Sequence, residues 1–303
     1  MKKVLLFSFV FFFFVIAVFV SCKQSDSKKD KETILKGKMT LLVDETVKPI
    51  IEDQIAVFES TYDAKIKIEA KSEKELIQSF LKDTSGVVVL SRELTADEIG
   101  FFEKSKIKPK TTKFAIDAIA LISNKKDSDT LIAMKDIVAF IKGVSGTKIK
   151  GLVFDNPNSS TVRYLASLAG VKEMPQNGVY SFKSNEEVVK FVAENDGMIG
   201  VVGVNWLLQP TAAIKDYLTN INVLSVQGLN KNSYFAPTQN NLAEGTYPLA
   251  RDLFIINCQG YSGLGMGFAS FLAGERGQRI ILKSGMLPTT MPGRKILIKS
   301  RLK

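Results

Sequence analysis

The chain contains no histidine. That absence removes Ser-His-Asp and Cys-His catalysis, histidine metal sites and a histidine proton switch near neutral pH. Cysteine is nearly missing as well, with only Cys22 and Cys258 in 303 residues. Cys258 ends an apolar run that starts at Leu253, so it reads as a buried, inert thiol. Glycine-rich nucleotide signatures are lacking. Gly260, Gly263, Gly265 and Gly267 precede a helix but have neither the unit spacing nor the acidic partner of a dinucleotide site. Asp127, Asp129 and Asp136 are too scattered for a calcium loop, which needs closely alternating oxygen ligands. No cofactor is expected.

What is present begins with an apolar run. Lys2 and Lys3 precede Val4 to Val20, broken only by Ser8, and Ser21-Cys22 follow. A basic start, a short apolar core and a small residue at the cut describe a secretory signal over residues 1–21. The run is short for a spanning helix. Cys22 directly after the small residue resembles a bacterial lipobox, with Phe19 where leucine is usual. That resemblance implies a lipid on Cys22 and a chain held outside the cytoplasm on a bacterial membrane. An uncleaved anchor helix is the alternative.

Residues 22–37 are polar, lysine-rich and free of aromatics, which is the composition of a flexible tether. The formal charge is +10, and +8 remains once Lys2 and Lys3 leave with the signal. A positive balance suits an anionic ligand or membrane surface. Nucleic acid is not expected as a partner of an exported lipoprotein.

From Lys38 onward, strand and helix patterns alternate. Met39 to Val43 reads as a strand. Val47 to Tyr62 reads as a helix with Ile50, Ile51, Ile55 and Phe58 on one side. Ser72 with Glu75, and Thr95 with Glu98, have the spacing of helix capping boxes. The pattern restarts after Phe114 to Ile122, and Ile221 to Val226 reads as one strand. Residues 227–246 read as a loop and Tyr247 to Cys258 as a second long strand. Such alternation predicts an α/β fold with largely parallel sheets flanked by helices. The two long strands predict hinges joining two lobes, residues 38–121 plus 246–303 and residues 122–245. Ligands of such sheets sit at the carboxyl ends of strands, here in the cleft between lobes.

Three polar loops fall between a strand and a helix. They carry Asp44, Glu45 and Thr46; Ser91 and Arg92; and Asn158, Ser159, Ser160, Thr161 and Arg163. Helix N-termini present free N–H groups to anions, hydroxyls add donors, and arginine gives paired bonds to an oxyanion. The plainer reading is helix capping, which is what Ser, Thr and Asp usually do there. Three such loops in one chain, two with arginine, favour a shared anion site.

Longer stretches carry a resemblance. FAIDAIALISNKKDSDTLIAMKDIVAFIKG (114–143), SNEEVVKFVAENDGMIGVVG (184–203), TYPLARDLFIIN (246–257) and FASFLAGERGQRIILKSGMLP (268–288) resemble segments of the phosphate-binding periplasmic proteins of ABC transporters (PstS-like). The resemblance implies a type II periplasmic-binding-protein fold, a phosphate or similar oxyanion as ligand and an ABC permease as partner. It places Thr46, Ser91 with Arg92, and Ser159 to Thr161 with Arg163 at the ligand, and Asp117 on a hinge strand. Asp44 and Glu45 stand where the family usually has Gly and Ser, Ser160 replaces a motif glycine, and the second-loop carboxylate that accepts the ligand proton is missing. Asp44 is either its substitute or a helix cap.

The expected protein is therefore a monomeric binding protein and not an enzyme. A sensor or surface lipoprotein of the same fold is one alternative. A hydrolase using Asp44, Glu45 or Asp117 is a remote one, since a carboxylate pair alone specifies little.

Overall fold

The computed structural model describes residues 32–293, apart from 84, 145, 147, 148 and 231. The signal segment, Cys22 and most of the tether lie outside the described residues. No helix among the described residues is long and apolar enough to cross a membrane.

In the first lobe, β2 (Ala64–Lys71), β1 (Gly37–Asp44) and β3 (Val87–Leu90) run parallel. They continue antiparallel into β12 (Ala250–Asn257) and β4 (Lys110–Asn124). The short strands β1, β3 and β12 alternate strictly. Leu41, Val43, Val87, Val89, Leu253 and Ile255 enter one core, while Leu42, Val88, Leu90, Phe254 and Ile256 enter another. A period of two with both faces apolar requires cover on both sides. Helix α1 (Lys48–Thr61) and the pair α9 (Leu264–Ala273) and α10 (Glu275–Lys283) cover one face. Helices α2 (Glu73–Lys82) and α3 (Ala96–Lys104) cover the other, bringing Leu76, Phe80 and Phe102 to the second core.

Helix α1 buries Ile50, Ile51, Ile55 and Phe58, the stripe read from the sequence, after a 3-10 turn at Glu45–Val47. Phe58 meets Phe268 and Phe271 edge-on at 5.3 and 5.2 Å. The capping box at Thr95 and Glu98 is formed. At Ser72 the hydroxyl instead donates to Glu75 at 2.8 Å and caps no backbone group.

β4 changes sheets midway. Its first part pairs β12 up to Ala118, and from Ile119 it pairs β8 (Met198–Gly203) of the second lobe. β8 runs parallel to β6 (Gly151–Phe154), and β6 to β7 (Val179–Ser181). The returning chain is tied beside the crossing: Ile119 N–H donates to Leu249 O at 2.9 Å, and the Tyr247 hydroxyl to Ile119 O at 2.6 Å. The two-lobed α/β fold with hinge strands is thus present, each lobe holding three parallel strands beside antiparallel hinge strands.

Two local readings change. Residues 221–227 form two strands, β9 (Ile221–Val223) on β4 and β10 (Ser225–Gln227) on β5 (Leu131–Ala133). The break falls at Leu224, which bonds Leu121 O while Ser225 bonds Thr130 O, so tertiary pairing divides one apolar run. The loop 227–246 contains β11 (Tyr234–Phe235) and a short helix, α8 (Gln239–Ala243). The last residues before β1 lie on α9: a Cβ at Gly267 would stand 1.6 Å from Ile34 O, so only glycine fits there.

Replacing Phe58 by Ala removes the ring on which α1 and α9 pack. Urea unfolding is expected to show a loss of about 3–5 kcal/mol.

Candidate functional site

The carboxyl ends of β1, β3, β6 and β8 converge on the hinge strands. Arg251 of β12 stands directly opposite Asp117 of β4 in register, so strand geometry alone sets the two side chains on one face. Arg251 Nε and Nη2 donate to Asp117 Oδ2 at 2.9 and 2.8 Å. Nη1 donates to Ser160 at 3.0 Å and Nη2 also to Thr46 Oγ1 at 3.0 Å. The side chains of this pair are 2% and 0% exposed. Burial opposes the charge on Arg251, but Asp117, Asp44 and Asp155 outweigh it and hold the proton on the guanidinium.

Around this pair the loops meet. Thr46 Oγ1 lies 3.1 Å from Ser160 Oγ across the cleft. Helix α7 (Val204–Leu208) follows β8, and from it Asn205 Nδ2 and Trp206 Nε1 donate to Thr46 O at 3.0 and 3.1 Å. Gly203 permits this approach, because a Cβ there would stand 2.6 Å from Thr46 O.

The donors of this inner cluster are already taken by the chain's own carboxylates, hydroxyls and a backbone carbonyl. Thr46 N–H and Oγ1 both donate to Asp44 Oδ1, at 3.1 and 2.9 Å. Helix α5 (Ser160–Ala169) has Ser159 as its N-cap, Ser159 Oγ lies 2.9 Å from Thr161 Oγ1, and Thr161 donates to Asp155 at 3.2 Å. Asp155 also accepts from Asn185 at 3.3 Å. Among the described residues, the buried atoms left without partners here are Asp44 Oδ2, Asp117 Oδ1, Asn185 Oδ1 and Asn205 Oδ1, all acceptors. Burial pushes the Asp155 carboxyl up to about 6, with Asp44 adding to it and Ser159 and Thr161 opposing. Glu45 is pushed up to about 7, again mainly by burial, with Lys48 opposing and Asp155, Asp44 and Glu52 adding.

A second group lies further out. Ser91 is 6% exposed and its hydroxyl has no partner. It opens on a cavity of about 840 Å³ lined also by Arg92, Arg163, Tyr164 and Arg251, with Glu93, Asp252 and Lys113 at its wall. Lys113 is engaged by Asp252 at 2.7 Å. Arg92 donates to Glu73 at 2.8 Å and to both oxygens of Glu98 at 2.7 and 2.9 Å. Arg163 lies 2.6 Å from Glu73. Asn158 is exposed on the cleft rim, where its carbonyl accepts from Lys74 N–H at 3.3 Å.

The structure therefore gathers Asp44, Glu45, Thr46, Asp117, Ser159, Ser160 and Thr161 inside, and sets Ser91, Arg92, Asn158 and Arg163 outside. Arg251, Asp155, Asn205, Trp206 and Glu73 had not been singled out in the sequence. Asp117 interrupts the apolar run Phe114 to Ile122, and Arg251 with Asp252 interrupts the run Leu249 to Ile256; a charge inside such a run calls for a buried partner. Nothing local in the sequence marks Asn205 or Trp206.

Among the described residues no cluster of three or more His, Cys, Asp or Glu side chains could hold a metal ion. Cys258 is buried, and burial pushes its thiol up to about 12, as fits an inert core residue.

The model of the PBP superfamily domain matches residues 29–276. The chain belongs to this family. Among solved structures, it is similar to a putative phosphate ABC transporter substrate-binding protein with bound phosphate from Clostridium perfringens. That likeness has 19% identity and TM-score 0.67, covering 84% of this chain and 100% of the other. It is similar to an ABC-type phosphate transport receptor from Vibrio cholerae at 18% identity and TM-score 0.62, covering 83% and 100%. The regulatory domain of CcmR from Synechocystis, in complex with 2-PG, shares the fold at 14% identity and TM-score 0.52, covering 78% and 96%. No curated protein matches the chain. PBP-domain architecture is thus common to phosphate receptors and to regulatory domains.

An acid whose pKa rises on folding supports the fold below its ordinary pKa and withdraws that support as pH climbs through the raised value. Glu45 and Asp155 place that window between about pH 4 and about pH 7. The urea midpoint is expected to fall from about pH 5 to about pH 8. In Asp155→Asn, which cannot titrate, the fall is expected to be smaller.

Proposed function

We propose that this PBP-domain protein captures an inorganic oxyanion, most simply phosphate, in the cleft between its lobes. The observation that carries this reading is the Ser91 hydroxyl, buried and unpartnered, facing a cavity lined by Arg92, Arg163 and Arg251 from both lobes. Hydroxyl and guanidinium donors converging on one cleft suit a tetrahedral anion, which accepts several charge-assisted bonds at once. The inner cluster is the poorer place for it. Its donors are satisfied and its unpartnered atoms are oxygens of Asp44, Asp117, Asn185 and Asn205, acceptors that repel an anion. Asp44 acts there as a cap through Oδ1.

The family and the phosphate receptors of the same fold support binding rather than catalysis. They also support delivery to an ABC permease outside the cytoplasm, and we read the chain as a monomer there. The sequence around Cys22 supports a lipid anchor. The likeness to the CcmR regulatory domain favours one other reading, a sensor of the same fold that binds an organic anion and meets no permease.

The test is calorimetric titration of the purified chain with phosphate and, as control, sulfate. One-to-one phosphate binding is expected. Ser91→Ala should weaken it about tenfold, the loss of ~1.4 kcal/mol expected for one hydrogen bond to a charged group. Arg163→Gln should weaken it by more. No heat with phosphate in the parent chain would overturn the reading.

A further inference from the structure

Glu73 opens α2 in the first lobe and is 4% exposed. Its Oε1 takes Arg92 Nε at 2.8 Å and stands 2.6 Å from Arg163 Nε of the second lobe, while Oε2 is buried with no partner. A carboxylate whose one oxygen sits between two guanidiniums presents the charge that an oxyanion ligand would offer the same groups. The contact also spans the cleft, next to the Lys74–Asn158 backbone bond. Arg92 and Arg163 line both the 840 Å³ cavity beside Ser91 and a second cavity of about 980 Å³ into which Glu73 faces.

We propose that the Arg92–Arg163 pair is an anion subsite occupied in this structure by Glu73, which acts as an internal competitor and as the latch that closes the cleft. The subsite deepens the oxyanion reading and rests on it; the latch does not. A ligand anion gains Arg163 only as Glu73 gives it up. The carboxylate thus sets both the affinity for anions and the closed population of the empty protein. Arg92 keeps Glu98 as a second partner and stays in place during the exchange. Among the described residues no second carboxylate pairs with Arg163, so it is the arm that changes partner.

Two variants of the full chain in detergent test this with opposite signs. Glu73→Gln keeps the shape of the side chain and removes its charge. It is expected to bind phosphate about tenfold more tightly than the parent in calorimetry. Arg163→Gln breaks the same contact from the other lobe and is expected to bind more weakly. Without ligand, both should speed amide hydrogen exchange severalfold in two places: around Asn158 beside the latch, and over residues 203–209 across the cleft. Weaker phosphate binding by Glu73→Gln would overturn the competitor role. Exchange unchanged over residues 203–209 in both variants would overturn the latch. If neither the parent nor Glu73→Gln binds phosphate, the oxyanion reading and the subsite fall together, and the exchange data still decide the latch.

Discussion

A guanidinium can sit in a protein core only if its charge and all of its donors are met there, because an uncompensated buried ion costs several kcal/mol. Arg251 finds a partner for its charge and for each of its three nitrogens in groups from three other parts of the chain. Asp117 faces it across the hinge strands, Thr46 comes from the first β–α turn, and Ser160 comes from the second lobe. Much else follows from satisfying this one side chain. Thr46 must be held where Nη2 can reach it, which Asp44 does from one side and Asn205 with Trp206 do from the other. Gly203 must lack a side chain so that α7 can come that close. The lobes are therefore drawn together by a polar hub on the hinge, and their apolar cores form around it.

That hub separates closure from ligand capture. In a cleft whose loops were free, the N-terminal amides and hydroxyls would be open to an anion. Here Asp44 and Asp155 occupy them as resident anions, and burial, with neighbouring carboxylates adding to it, raises the pKa of Glu45 and Asp155. The unpartnered Ser91 hydroxyl lies outward, where it borders a cavity of about 840 Å³ together with Arg92 and Arg163, which are held by Glu73 and Glu98. An oxyanion bound at the outer position proposed for it would leave the buried pair of Arg251 and Asp117 intact.

The likeness to phosphate receptors and to regulatory domains is a likeness of backbone. A two-lobed sheet with hinge strands can present very different loops at the carboxyl ends of its strands, and function lives in those loops. In the first loop of this chain Asp44 accepts from the N–H and the hydroxyl of Thr46, so this turn carries its own anion.

Much of the fold was legible from the sequence because its signals are local. Alternation in Met39 to Val43, the Ile50, Ile51, Ile55 and Phe58 stripe, and the Thr95 and Glu98 box each depend on backbone periodicity or on neighbours a few residues away. The two long apolar strands implied hinges, and the loops bearing Thr46, Ser91 and Ser160 were found at strand ends. What the sequence by itself determined was this α/β order and the set of polar loops facing one cleft. Which of those residues bond to one another was decided only by tertiary structure. Register set Arg251 against Asp117, the sheet switch at Ala118 and Ile119 brought the lobes together, and residues far apart in sequence, such as Glu73 and Arg163, became partners. A carboxylate reads the same in a sequence whether it caps a helix, neutralises an arginine or awaits a ligand, because only distance and burial distinguish those roles.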